Sequence, residues 1–304
     1  MTLQEREASG PEAIFALYLR AAPRLPRAPR RGAARPAPDL GALAASFDLF
    51  VLDAFGVLNI GERAVPGAAE RIARLRAMGK KVVVATNAAG YPKSRLLARY
   101  AALGFDFAPD EVVSSRETLL AALQDQPPRR WGVMADPAWG EEELEGLDAR
   151  FLLDDPADYA GAEGFLLLGS GAWTPARQAM LAETLARDPR PVLVGNPDLA
   201  APRDRGHSQE PGRFAHMLAE IPGVTPQFYG KPFGAIFERV LARAGTAPER
   251  AVMVGDTLHT DVLGGLAAGM SAALVTDSGS IHQGRAGRDM ARADLWPDYV
   301  LPRI

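Results

Sequence analysis

The 304-residue sequence contains no cysteine, which removes disulfides, thiolate metal sites and a cysteine nucleophile from consideration. That absence suits a cytoplasmic protein. Net charge is also small, −3 from 34 basic and 37 acidic residues, so the chain lacks the basic excess with which dedicated nucleic-acid binders neutralise phosphates. Nucleic acid is not an expected partner. No apolar run approaches the roughly 20 residues needed to cross a bilayer. The amino terminus carries Glu5, Glu7 and Glu12 where an export signal wants basic and then apolar residues. No membrane association is expected. Of the few histidines, His216, His259 and His282 are too scattered to suggest a transition-metal site.

What is present is apolar: 47% of residues are hydrophobic, enough for two cores at about 100–200 residues per domain. Residues 1–45 read as a helix and a linker. Ile14, Leu17 and Tyr18 have helical spacing within the stretch from Pro11 to Ala22, and the leading proline costs a first helical turn little. From Pro23 to Pro38 the chain is mostly Pro, Arg and Ala, including Arg24, Arg27, Arg30, Arg31 and Arg35. This reads as an extended linker, or as an anion-binding arm.

Phe47 to Leu52 is a continuous apolar run that stops at Asp53, the pattern of a strand buried on both faces. A helical stretch from Gly67 to Met78 and a second apolar run, Lys81 to Ala85, follow, ending at Thr86-Asn87. The rhythm returns late, with a helix from Phe233 to Ala244, a strand from Ala251 to Val254 stopping at Gly255-Asp256, a helix from Asp261 to Ala268 and a strand from Ser271 to Val275. Strand and helix in alternation predict a doubly wound, Rossmann-like α/β core with a parallel sheet. Residues 46–122 and 227–304 supply it. Between them, residues 123–226 carry their own signals: strands at Trp131–Met134, Phe165–Leu168 and Pro191–Val194, with helices near Glu141–Leu144 and over Pro175–Ala186. They predict a second α/β unit inserted into the first.

Open α/β sheets bind ligands at the carboxyl ends of their strands, and four short elements fall there. They are Asp53-Ala54-Phe55-Gly56-Val57-Leu58, Thr86-Asn87, Gly230-Lys231-Pro232, and Gly255-Asp256-Thr257-Leu258-His259-Thr260-Asp261. Singly each is common; in this order they resemble the four motifs of the haloacid dehalogenase superfamily. The inserted unit and its Asn196-Pro197-Asp198 are similar to subfamily IIA, with a C2-type cap, which includes nitrophenyl, sugar and pyridoxal phosphate phosphatases.

The resemblance implies an aspartyl-phosphate mechanism on a small phosphorylated metabolite, with Mg²⁺ as cofactor. Asp53 would be nucleophile and Mg²⁺ ligand; Asp256 would be a second carboxylate ligand, suiting a hard cation. Thr86 and donors near Asn87 would bind phosphoryl oxygens, and Lys231 would supply fixed positive charge. Asp261 would orient a metal-bound water or hold Lys231, or else cap the helix after it. Dimerisation through the cap would be usual for the subfamily.

One expected group is missing. The residue two after the nucleophile is usually the aspartate that protonates the leaving group, and here it is Phe55. A general acid contributes about 10²–10⁴-fold, so alkyl phosphates should suffer most and aryl or acyl phosphates least. Metal binding can survive, because that position contributes its backbone carbonyl to Mg²⁺. A replacement acid could come from His207 or Asp204 in the cap. The alternative is a phosphate- and metal-binding protein with little turnover. Phosphonate hydrolysis would need a Schiff-base lysine, for which Lys80, Lys81 and Lys93 are available.

In the cap, Asn196 and Asp198 read either as substrate contacts or as turn chemistry. Arg203 and Arg205 read first as solvated charge. Trp131, Trp139 and Trp173 could stack on a substrate ring but more often would fill the unit's own core. His259 is a candidate to line the pocket.

Overall fold

The computed structural model describes residues 10–124, 126–202, 206–278 and 281–304. Leu49, Phe50, Val51 and Leu52 form a strand with every side chain fully buried. Period-two geometry explains how a continuous apolar run is used. Phe50 and Leu52 pack with Ile72, Leu75 and Leu96 on one face, while Leu49 and Val51 pack with Ile236, Phe237 and Val240 on the other.

This strand is central in a seven-stranded sheet ordered Arg35–Pro36, Tyr299–Leu301, Ser271–Val275, Ala251–Gly255, Leu49–Leu52, Lys81–Thr86, Val112–Ser114. All neighbours are parallel. After Leu49–Leu52 the next two strands of this sheet run outward on one side of it and the late strands on the other, with Arg35–Pro36 added at the late side's edge, so the direction of winding reverses between Leu49–Leu52 and Ala251–Gly255. The crevice at such a reversal is where ligands bind. Register pairs Leu52 with Val254, and the Asp53 N–H reaches the Val254 carbonyl at 2.9 Å.

The chain between Val112–Ser114 and the helix Gly234–Ala244 builds a second parallel sheet of five strands, ordered Gln227–Phe228, Val192–Val194, Gly164–Leu167, Trp131–Met134, Ala149–Phe151. It has its own core around Phe165, Leu181, Leu185 and Val194. A two-stranded antiparallel ribbon, Ala200–Pro202 with His207–Gln209, leads out of it. Among the described residues, no helix is long and apolar enough to cross a membrane.

Four sequence expectations need correction. The inserted unit runs past 226, because Gln227–Phe228 pairs with Val192–Val194 as the edge of its sheet. The Pro/Arg stretch is not a free linker: Arg35–Pro36 adds a strand beside Tyr299–Leu301. Three of its guanidinium groups face the chain itself, Arg30 on Asp298 at 2.5 and 2.8 Å, Arg31 over the Trp296 ring at 4.2 Å and Arg24 on Glu220. Glu141–Leu144 forms turns rather than a helix. The helix expected from Asp261 begins earlier and wider, as a π-turn over Leu258–Val262, and becomes α-helical at Leu263–Ala267.

Candidate active site

Two adjacent strand ends and a π-turn bring Asp53, Asp256 and Asp261 together, each with a carboxylate oxygen within 4.8 Å of the others. Lys231 is 2% exposed and places its Nζ 2.5 Å from Asp53 Oδ1 and 2.7 Å from Asp261 Oδ1. The π-turn serves this geometry. Asp261 Oδ2 accepts the Thr257 N–H at 3.1 Å, turning the carboxylate back toward Lys231 rather than capping the following helix. Thr257 Oγ1 in turn donates to Asp256 Oδ1 at 2.8 Å.

Burial dominates the electrostatics. It pushes Asp256 up to about 8 and Asp53 up to about 7, the latter against the pull of Lys231. Burial alone would also push Lys231 down, but Asp261 and Asp53 outweigh it and hold the ammonium above its usual value. Three clustered carboxyls facing one ammonium leave negative charge that low-dielectric surroundings disfavour. A hard divalent cation among these oxygens is a chemically apt complement. The donor set therefore fits Mg²⁺.

Asn87 connects the next layer. Its Oδ1 accepts the Lys231 N–H at 2.7 Å, while its Nδ2 donates to the Lys231 carbonyl at 2.9 Å and to Asp198 Oδ1 at 2.8 Å. This approach requires glycine at 230, since a Cβ there would lie 2.4 Å from Asn87 Oδ1. Asp198, also pushed up to about 7 by burial, comes from the inserted unit, so this hydrogen bond joins the two sheets' territories. Asn196 is buried and closes its own loop, accepting the Asp198 N–H at 2.9 Å and donating to Glu210 Oε2 at 3.1 Å. Its amide performs the turn chemistry. Thr86 is 2% exposed, with Oγ1 accepting the Ala88 N–H at 3.2 Å.

Asp53, Asp256, Lys231, Asn87, Asp198 and Thr86 line a cavity of about 710 Å³ between the two units, with Asp261 buried behind them, within the usual range for small-molecule sites. Phe55 forms part of its wall, with the Arg99 guanidinium stacked 4.6 Å over the ring. Trp139 and Trp173 also line it, whereas Trp131 is buried with Leu119, Leu123 and Leu166, where the inserted sheet packs on the helix Ser115–Leu123. His259 does not face the cavity; it packs against Phe15 and Tyr18. His216 is likewise a buried packing residue, and His282 is buried between the Leu258 N–H and Asp289, to which its two ring nitrogens hydrogen-bond. His207 lies on the antiparallel ribbon beside the cavity residues Ser208 and Gln209. Arg203, Asp204 and Arg205 fall outside the described residues.

The lysines considered for a Schiff base lie elsewhere. Lys80 faces Asp48, Lys81 the Ala244 carbonyl, and Lys93 Glu117. Sequence reasoning missed Glu210 and Tyr18, both of which line the cavity. Neither sits in a motif; only the helical spacing of Tyr18 with Ile14 marked it, and that pointed to packing.

A family model described as haloacid dehalogenase-like hydrolase matches residues 50–149, and one described as HAD-hydrolase-like matches residues 228–304. Chronophin of Bos taurus is 32% identical over 272 residues, covering 84% of this chain and 90% of the relative. The crystal structure of a possible sugar phosphatase from Cytophaga hutchinsonii superposes with a TM-score of 0.78 at 23% identity, covering 89% of this chain and 98% of the other. A p-nitrophenyl phosphatase from Archaeoglobus fulgidus gives 0.70 at 24% identity, covering 85% and 97%.

Proposed function

The chain belongs to the haloacid dehalogenase-like hydrolases, and from that premise we propose that it is a Mg²⁺-dependent phosphatase of a small phosphorylated metabolite, working through Asp53. The observation that carries this reading is the Lys231 ammonium 2.5 Å from Asp53, within a cluster that also holds Asp256 and Asp261. Asp53, Asp256 and the Phe55 carbonyl would hold Mg²⁺, with Asp261 beside them; the ion supplies charge neutralisation at the phosphoryl oxygens.

The chain's own groups then divide the work. An Asp53 oxygen attacks phosphorus as the bond to the leaving oxygen breaks, giving an aspartyl phosphate and a released alkoxide or phenoxide. Lys231 balances charge on the phosphoryl oxygens, and Thr86 gives its hydroxyl to one of them. Water then attacks the aspartyl phosphate, returning Asp53 and inorganic phosphate. Phe55 has no proton to give to the leaving oxygen and no base to offer the water. The preferred substrates are therefore those whose leaving group departs as an anion, aryl or acyl phosphates, and the second step is slow. The relatives' names, a sugar phosphatase and a nitrophenyl phosphatase, are consistent with a small phosphate ester.

The test is hydrolysis of p-nitrophenyl phosphate with Mg²⁺ by wild type, Asp53→Asn and Phe55→Asp. Turnover by wild type, none by Asp53→Asn, and a gain of about 10²-fold or more toward alkyl phosphates in Phe55→Asp are expected. If wild type and Phe55→Asp are both inert while Mg²⁺ and phosphate still bind, the chain is a binding protein on a phosphatase scaffold. The Arg99–Phe55 stack, which occupies the acid's place, favours that second reading.

A further inference from the structure

One residue lining the cavity comes from a helix outside both family-matched segments, Pro11–Ala21. Its Tyr18 is 3% exposed, and the ring lies flat on His259, centroids 5.3 Å apart and planes 12° apart. His259 belongs to the π-turn that carries Asp261. The Tyr18 hydroxyl accepts the Leu199 N–H at 3.3 Å, one residue beyond Asp198. A single side chain thus touches both the carboxylate-bearing turn and the loop of the inserted unit.

The helix is held in place without help from that hydroxyl. Ile14 and Phe15 are fully buried in a cluster with Leu258, Val262, Leu266 and Leu274. Glu12 meets Arg285, Arg292 and Arg288 at 2.7, 2.6 and 3.2 Å. Burial raises the Tyr18 phenol well above its ordinary range, so it stays a neutral O–H. A phenol oxygen that accepts one hydrogen bond still has its own proton to donate.

We propose that Tyr18 is a specificity-determining residue: it pins the Asn196–Leu199 loop over the phosphate site and presents its phenolic proton to the leaving-group end of the cavity. This rests on the phosphatase reading for the location of that end. The phosphate end is built from Asp53, Thr86 and Lys231; Lys231 is fixed by Asp53, by Asp261 and by two Asn87 bonds to its backbone, none of them from the helix, and only the Asn87–Asp198 bond runs through the pinned loop. Loss of the hydroxyl should therefore be felt by the leaving group far more than by phosphate.

The experiment is calorimetric titration of p-nitrophenyl phosphate and of inorganic phosphate, with Mg²⁺, into Asp53→Asn and into Asp53→Asn/Tyr18→Phe. The phenylalanine keeps the ring on His259. Binding of p-nitrophenyl phosphate is expected to weaken by about 5- to 10-fold, the effect of one neutral hydrogen bond, with phosphate binding unchanged within twofold. Equal weakening of both ligands, with a lowered Tm, would make Tyr18 a structural residue and overturn the proposal. No change in either, or no binding of p-nitrophenyl phosphate at all, would overturn it too. Turnover by the protein with native Asp53, measured alongside, reports separately on the phosphatase reading.

Discussion

Asn87 uses both ends of one amide, joining the Lys231 backbone to Asp198 across the boundary between the two sheets. From sequence it read as a neighbour of phosphoryl donors, because Thr86-Asn87 ends a buried strand. Its position was legible and its partners were not, since Asp198 lies far along the chain and no local pattern links the two. Residues that end apolar runs, Asp53, Thr86 and Asp256, were all conspicuous for the same reason. Tyr18 and Glu210 follow no such break in hydrophobicity. Gly56 shows how tightly the residue scale constrains chemistry. Its φ is +83° and a Cβ would lie 2.3 Å from Asp256 Oδ2, so Gly56→Ala both strains the backbone and pushes a carboxylate aside. Mg²⁺ affinity measured by calorimetry should fall about tenfold or more, on the scale of 1–3 kcal/mol for such strain.

Elements were legible where periodicity was strong. The strands Trp131–Met134 and Ser271–Val275 stand where the apolar runs placed them. The π-turn was not legible, because it is set by Asp261 returning to the Thr257 N–H, a contact that helical periodicity does not encode. Nor was the edge strand Arg35–Pro36, whose composition argues for exposed coil until Tyr299–Leu301 offers it a partner.

The helix Pro211–Leu218 carries a pH dependence of its own. His216 is buried against Phe228, ring centroids 5.2 Å apart, and burial pushes it down to about 4, with Arg24 assisting. Between pH 6.5 and 4 the unfolded chain takes up a proton there that the folded chain refuses, so this group's effect on stability worsens as pH falls through that window. Denaturation at pH 6 and pH 5 should show wild type losing about 1 kcal/mol more than His216→Phe, given a ceiling of about 1.4 kcal/mol per proton per pH unit. Equal losses would place His216 in a solvated setting.

At the scale of the molecule, the winding reversal beside Leu49–Leu52 gathers acidic residues from distant chain segments into one crowded cluster. Folding without a cation opposes that crowding, and a cation that binds only the folded state relieves it. Mg²⁺ should therefore raise Tm, by an amount corresponding to about 2.7 kcal/mol at a hundredfold excess over Kd. In Asp256→Asn the rise should be lost, as read by thermal denaturation with and without the metal.

The inserted unit is tied to the core by two chain crossings and, on another side, by the helix that carries Tyr18. To swing aside, a unit latched in this way would have to break the Tyr18–Leu199 hydrogen bond and uncover Leu199. Trp139 and Trp173 line the same cavity, so a ligand that fills it lies against aromatic surface as well as against the carboxylates.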